Sequence, residues 1–329
     1  MRVIWSLLLV GALGLLAFVG TIVGAQWLFG IVFPYLAALV FLAGIAVRVI
    51  RWSRSPVPFR IPTTCGQQRA LPWIKSSYLD NPSTGLGTTL RLVLEVLTFR
   101  SLFRNNRGEL RKGGRFTFSS DKWLWAAALA FHYSLLMILL RHYRLFAEPI
   151  PVVVTWLQGL DGFFQVGLPV VYASDLLIVA ALGFLLWRRL NDRRLRYISL
   201  NADYFPLMLI LGVALSGVLL RYFIRTDVVA VKELAIGLVS FHPSVPQGIS
   251  PFFYVHLFLV SVLLTYFPFS KLVHMAGVFL SPTRNLANNN RARRHINPWN
   301  PPILGHTYAE WEEEFHDKMV AAGIPLDRE

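Results

Sequence analysis

A chain of 329 residues that is 55% hydrophobic and 15% charged, with a mean hydropathy of +0.51, is too apolar for an ordinary soluble domain and points to the lipid bilayer. Its formal net charge of +14 would suit nucleic acid if it covered a soluble surface, but the basic residues lie in loops between apolar runs, which excludes that partner. The single cysteine, Cys65, excludes a disulfide framework and any iron–sulfur cluster held by this chain's own thiolates.

Apolar runs over 3–24, 28–50, 122–146, 166–190, 202–223 and 252–280 predict about six transmembrane helices. Each run covers or exceeds the ~20 residues needed to cross the hydrocarbon layer. The expectation is an all-α integral membrane protein in four parts: an N-terminal hairpin (1–50), a basic loop with an amphipathic helix (51–121), a four-helix core (122–280) and a tail (281–329). Arg2 and the small residues Val23-Gly24-Ala25 resemble a signal peptide, but the run between them exceeds an ordinary signal core. It is read as a retained span, joined to the second by a tight turn near Gln26.

The basic residues set the expected orientation. Arg51, Arg54, Arg60, Arg69, Lys75, Arg91, Arg100, Arg104, Arg107, Arg111, Lys112 and Arg115 fall between runs two and three, and RRLNDRRLR (188–196) between runs four and five. The connection 147–165 carries Glu148 and Asp161 with no Lys or Arg, and 224–251 is mixed. These asymmetries predict cytoplasmic basic loops, both termini in the cytoplasm, and opposite directions for runs three and six.

Inside the loop, LGTTLRLVLEVLTFRSLFR (86–104) sets Leu90, Val93, Leu94 and Leu97 on one helical face flanked by arginines. Such a helix suits either lipid or a partner protein. In the tail, Thr307 and Glu310 form a capping box, Gly323 and Pro325 stop the helix, and Trp311, Phe315 and Met319 form an apolar stripe fit to dock a soluble subunit or to pack on the chain's own loops. No internal repeat and no glycine-rich phosphate loop is visible.

Four histidines in the apolar runs carry the chemistry. His132 and His142 lie ten residues apart on run three, and His256 and His274 eighteen apart on run six. A single membrane histidine is explained by an interhelical hydrogen bond, a proton relay or a place near the headgroups. Two pairs on antiparallel spans suggest more. His132 and His274 share the cytoplasmic half and His142 and His256 the outer half, so each couple can hold one haem iron from both sides, leaving no open position, as suits electron transfer. One misfit stands: the two spacings differ in rise by about 12 Å on straight helices. A kink at Pro268, helix tilt or an inclined macrocycle would reduce it.

FHYSLLMILLRHYR (131–144) and FPFSKLVHMAG (267–277) resemble the haem-binding helices of the respiratory nitrate reductase gamma subunit family, di-haem b quinol oxidases. Cys65-Gly66-Gln67-Gln68 leading into LPWIKSSYLDNPSTG, EVLTFRSLFRN and NPWNPPILGHTYAEWEEEF resemble one branch, DsrM, the membrane cytochrome b subunits of the sulfite-reduction-associated DsrMKJOP complex. The resemblance implies two haem b groups, ligated by His132 with His274 and by His142 with His256, and menaquinol or menaquinone as substrate. It also implies residence in a prokaryotic cytoplasmic membrane and a cytoplasmic iron–sulfur partner similar to heterodisulfide reductase (DsrK). A periplasmic multihaem cytochrome, a periplasmic iron–sulfur protein and a second membrane subunit complete the expected partners, alongside membrane lipids. The extra N-terminal span and long loop depart from the five-span nitrate reductase subunit.

Arg141 and Arg221 are candidates for the haem propionates, though arginines at span ends also snorkel. Tyr143, Asp175, Lys232, His242 and Tyr254 are candidates for a quinone site. His295, His306 and His316 fit solvated tail positions, and Cys65 a small loop residue. The main expectation is therefore a di-haem cytochrome b subunit exchanging electrons between the quinone pool and a cytoplasmic iron–sulfur protein. A transporter or proton relay would need discontinuous helices and repeats, neither visible in the sequence. A passive anchor would leave the four histidines unexplained.

Overall fold

The computed structural model describes residues 2–57, 68–69, 71–74, 76–104, 107–110, 112–165, 169–293, 295–296, 302 and 304–327. Cys65 and the stretch 297–301, which carries part of the family likeness, lie outside the described residues.

The chain opens with α1 (Arg2–Ile22), a turn, a π-helical turn at Leu28–Val32 and α2 (Phe33–Ser53). The basic loop holds α3 (Gly85–Thr98), α4 (Arg100–Phe103) and the strands β1 (Arg107–Leu110) and β2 (Phe116–Ser119). Then come α5 (Lys122–His142), α6 (Val152–Asp161), the strands β3 (Gly162–Phe164) and β4 (Val171–Tyr172), and α7 (Ala173–Asn191). The remainder is α8 (Arg193–Ile198), α9 (Asn201–Tyr222), α10 (Val228–Val239), α11 (Pro251–Tyr266), α12 (His274–Leu280), α13 (Pro282–Asn285) and α14 (Tyr308–Ala321).

Among the described residues, five helical stretches are long and apolar enough to cross a membrane: Arg2–Ile22, Leu28–Ser53, Lys122–Leu145, Asn201–Tyr222 and Pro251–Phe269. The molecule is a mostly helical, multi-pass membrane protein. Two departures from the sequence expectation bear on the count. The fourth run, expected to be helical from 166, pairs Gly162 with Tyr172 in a small ladder and becomes helical only at Ala173. The resulting α7 is 19 residues long and carries three charges, Asp175, Arg188 and Arg189, which set it apart from those five stretches. It nevertheless packs along α5 and α9.

The sixth run, expected to be one helix over 252–280, is discontinuous. After α11 come two 3-10 turns, Phe267–Phe269 and Lys271–Val273, around an extended Ser270, before α12 starts at His274. Pro268 removes a backbone donor, and Ser270 Oγ accepts from the Leu272 N–H to restart the helix. A Cβ at Gly44 would meet Pro268 at 2.6 Å, so the glycine lets α2 close on the break. Two short ladders, β1 with β2 across Gly113-Gly114 and β3 with β4, sit in the connections of this all-α architecture. Positive φ at the two glycines makes the first turn.

Charged side chains tie the helices at one end. Arg188 reaches Asp121 at 2.7 Å, Lys271 reaches Asp203 at 2.6 Å, Arg189 lies 3.9 Å from Asp203, and Arg2 donates to the Ser199 carbonyl. At this basic rim α1, α5 and α9 begin while α2, α7 and α11 end, so α7 runs opposite to α5 and α9, and α11 opposite to α1 and α9. Between the rim and the far end, α11 packs on α1, α2 and α9, and α5 on α7. The core fills with Ala17, Phe29, Leu234, Tyr254 and Phe258 in one cluster and Val10, Met208, Leu209 and Leu259 in another. Small residues such as Ala17 and Ala37 bring the helices close, the packing that lipid-embedded helices rely on.

The loop and the tail interlock beside the rim. Arg91 donates to the Thr283 carbonyl at 3.0 Å, Arg284 pairs with Glu95 at 3.2 Å, and the Asn288 N–H donates to Pro82 O at 2.7 Å. At the tail helix, Thr307 Oγ1 accepts from the Glu310 N–H, and the Glu310 carboxylate accepts from the Thr307 N–H at 2.8 Å. These bonds to Thr307 hold the Glu310 carboxyl below the usual range.

Candidate functional site

The structure brings the membrane histidines together in twos. The rings of His132 and His274 have centres 6.0 Å apart with planes at 82°, toward the basic rim. Those of His142 and His256 have centres 6.3 Å apart with planes at 20°, toward the far end. The members of each pair come from different segments, α5 on one side and the α11–α12 segment on the other.

Each ring is fixed through Nδ1. His132 donates to the Ala128 carbonyl at 2.8 Å, His142 to Ile138 O at 2.8 Å, and His274 to Lys271 O at 2.9 Å. A carbonyl can only accept, so Nδ1 carries the proton and Nε2 keeps its lone pair, the tautomer that ligates metal. His256 reaches the same state by another route. Its Nδ1 lies 2.9 Å from Ser216 Oγ, whose own proton goes to the Val213 carbonyl at 3.0 Å, so Oγ receives the imidazole N–H. Gly217, next to that serine, leaves room for the ring: a Cβ there would meet His256 Cε1 at 3.3 Å. At the rim pair, the Phe99 ring meets His132 edge-on at 4.8 Å from a left-handed backbone (φ 50°), and Phe131 does so from the helix itself.

Next to His142 lies a buried ionic cluster. Arg141 pairs with Asp175, sits 3.0 Å from Asp161 through Nε, and donates to Ser174 Oγ at 3.0 Å. Ser174 returns both its N–H and its hydroxyl to Asp161, at 2.9 and 2.7 Å. Tyr222 donates to Asp175 Oδ2 at 2.8 Å. The Tyr172 ring is sandwiched between guanidiniums, Arg141 at 3.8 Å and Arg221 at 4.2 Å. Arg141, Asp161, Tyr172, Ser174 and Asp175 are all buried; the three buried charges, balanced by the partly exposed Arg221, persist in apolar surroundings because each is paired in this way.

Of the residues singled out by sequence, Arg141, Asp175 and Arg221 therefore share one cluster. The others stand apart from it. Tyr143 is exposed, Lys232 pairs with Glu148, His242 donates to Ser240 O at 2.8 Å, and Tyr254 is 1% exposed in the core against Gly30. Asp161, Tyr172, Ser174, Tyr222, Ser216 and Phe99 were not singled out. Nothing in their local sequence marks them, because their roles arise from neighbours on other helices.

Residues 92–292 match the family model described as nitrate reductase gamma subunit. The chain is 47% identical over 288 residues to the Archaeoglobus fulgidus "Hdr-like menaquinol oxidoreductase cytochrome b-like subunit", spanning 84% of this chain and 86% of that one. It is 39% identical over 282 residues to the Archaeoglobus profundus protein of the same description, spanning 82% and 83%. The chain belongs to the nitrate reductase gamma subunit family. Its matched stretch contains all four membrane histidines together with Arg141, Asp161, Asp175 and Arg221.

Proposed function

We propose that this protein is a di-haem cytochrome b subunit that exchanges electrons between menaquinol or menaquinone near the far end and an iron–sulfur subunit at the basic rim, within a redox complex of sulfur metabolism. The observation that carries the reading is the pair of facing imidazoles, twice over, at 6.0 and 6.3 Å. Ring centres about 6 Å apart leave room for one metal ion between a nitrogen of each imidazole, so His132 with His274 and His142 with His256 would hold it. Among the described residues no group of three or more His, Cys, Asp or Glu side chains gathers around a common point. Two nitrogens per site suit an iron whose other ligands come from a macrocycle, so the residues present fit haem.

In this reading His132 and His274 hold one haem, and His142 and His256 the other. Bound haem would supply one-electron transfer between a two-electron quinol and single-electron iron–sulfur centres. The chain's own contribution is orientation: each Nδ1–H bond fixes a ring and its tautomer. At the far end, the Arg141–Asp161–Asp175 cluster holds the end of α5 against α6 and α7 beside His142. Arg221, with its Nε 4.0 Å from Asp175, is the arginine with charge to spare for a propionate. Asp175, Tyr143 and Lys232 are the proposed quinone-side residues. DsrK-like iron–sulfur protein, periplasmic cytochrome and iron–sulfur subunits, and a second membrane subunit are the proposed partners. The relatives' names support a menaquinol oxidoreductase assembly. Both termini and the basic rim are proposed to face the cytoplasm of a prokaryotic inner membrane.

The break at 267–273 is the feature a transporter or proton relay would predict. It has a simpler effect here, since it lets His274 meet His132 despite the eighteen-residue spacing from His256. The purified protein should show a b-type absorption band in a dithionite-reduced minus oxidised spectrum, with two haems per chain. A featureless difference spectrum from protein expressed with ample haem would turn the assignment toward a relay.

A further inference from the structure

Helix α3 is amphipathic in the reverse sense to a helix on a soluble protein. Its polar positions Thr88, Arg91 and Glu95 are buried, held by the Thr283 carbonyl, by Arg284 and by Ser101, whose N–H donates to Glu95 at 2.9 Å. Its apolar positions Leu86, Leu90, Val93 and Leu97 are exposed along one stripe, Leu86 to 67% and Leu97 to 53%. A helix with water on its open side would place these faces the other way round.

The depth of α3 says what covers the stripe. Its last carbonyls are bound by side chains of the spanning helix α5: Trp125 Nε1 donates to Thr98 O at 2.7 Å and the Tyr133 hydroxyl to Leu97 O at 2.8 Å. The residues that carry these donors stand three and eleven positions past Lys122, so their backbone lies about 4 and 16 Å inward along α5, with the side chains leaning back toward its start. Phe99, the next residue, reaches the ring of His132. The C-terminal end of α3 thus lies inside the apolar layer, and its exposed stripe runs on into the exposed Tyr133, Leu136 and Leu139 of α5. We infer that α3 is embedded in the acyl region of the leaflet at the basic rim, polar face inward, with lipid covering Leu86, Leu90, Val93 and Leu97. This goes beyond the electron-transfer reading and does not depend on haem.

The test uses the full chain in lipid nanodiscs on a Cys65→Ser background, with a nitroxide attached after Val93→Cys or, separately, Leu90→Cys. Leu136→Cys on α5 serves as the lipid reference and Lys112→Cys in the exposed hairpin turn as the water reference. Power-saturation electron paramagnetic resonance should give the α3 labels an oxygen-to-nickel-chelate accessibility ratio within twofold of Leu136→Cys and severalfold above Lys112→Cys. A ratio matching Lys112→Cys at both α3 positions would overturn the proposal in favour of a surface awaiting a soluble subunit. Low accessibility to both reagents with spin–spin broadening would overturn it in favour of a second copy of this chain.

Discussion

The two histidine pairs begin from one device and end in different surroundings. At the rim, His132 is flanked by the edges of Phe99 and Phe131, and the two imidazole planes are crossed at 82°. At the far end, His142 adjoins the Arg141–Asp161–Asp175–Arg221 cluster, and the planes lie within 20°. Three of the four rings are anchored on main-chain carbonyls that no substitution removes, whereas His256 depends on the Ser216 hydroxyl. The lesson is that ligand orientation can be a local matter of one helical turn, while the polarity around a ligand is a matter of which helices meet. Chemically identical imidazole pairs are thereby placed in an aromatic and in an ionic environment, a difference that would separate the behaviour of the two proposed haems.

The strongest challenge to this comparison is removal of one ligand. His142→Ala should eliminate the far haem and leave one per chain, and His132→Ala should do the converse. Pyridine haemochrome content with a redox titration reads the result; loss of both groups from either variant would show that the sites are not independent. A smaller effect is expected from Asp175→Asn, which leaves Arg141 and Tyr222 with a neutral partner in a buried site. Breaking such a pair costs about 3–5 kcal/mol, so the thermal midpoint should fall and the far haem should loosen while the rim haem keeps its spectrum. Equal disturbance of both haems would mean that the cluster supports the whole bundle rather than the far pair. The mildest case is Ser216→Ala. It removes the hydroxyl beside His256 Nδ1, leaving the Val213 carbonyl as the remaining partner, and should weaken far-haem retention about 10-fold, the low end of the usual range for a lost outer partner. Unchanged retention in a haem-competition assay would show that the ring is held without the hydroxyl.

Which histidines meet was legible from opposite span direction, against the unequal ten- and eighteen-residue spacings, and the capping box of the tail helix was legible from Thr307 and Glu310. The extent of the interruption after α11 was not, because Pro268 signals only that regular helix is disfavoured. The hairpin turn at Gly113-Gly114 carried a signal that the basic, loop-like composition around it obscured. For α3 the stripe was visible, but a stripe does not state which face turns inward, and that was decided by Thr283 and Arg284 from the tail.

The sequence by itself determined the apolar runs, their alternating flanks and the four imidazoles at fixed intervals, because hydrophobic length, charge asymmetry and helical rise are properties of short stretches. Only the tertiary structure decided that the rings of each pair meet near 6 Å, that Arg141 is shared by Asp161 and Asp175, and that Ser216 supports His256. Those contacts join residues up to 142 positions apart, as His132 and His274 are, and no local rule of propensity or periodicity reaches across such separations.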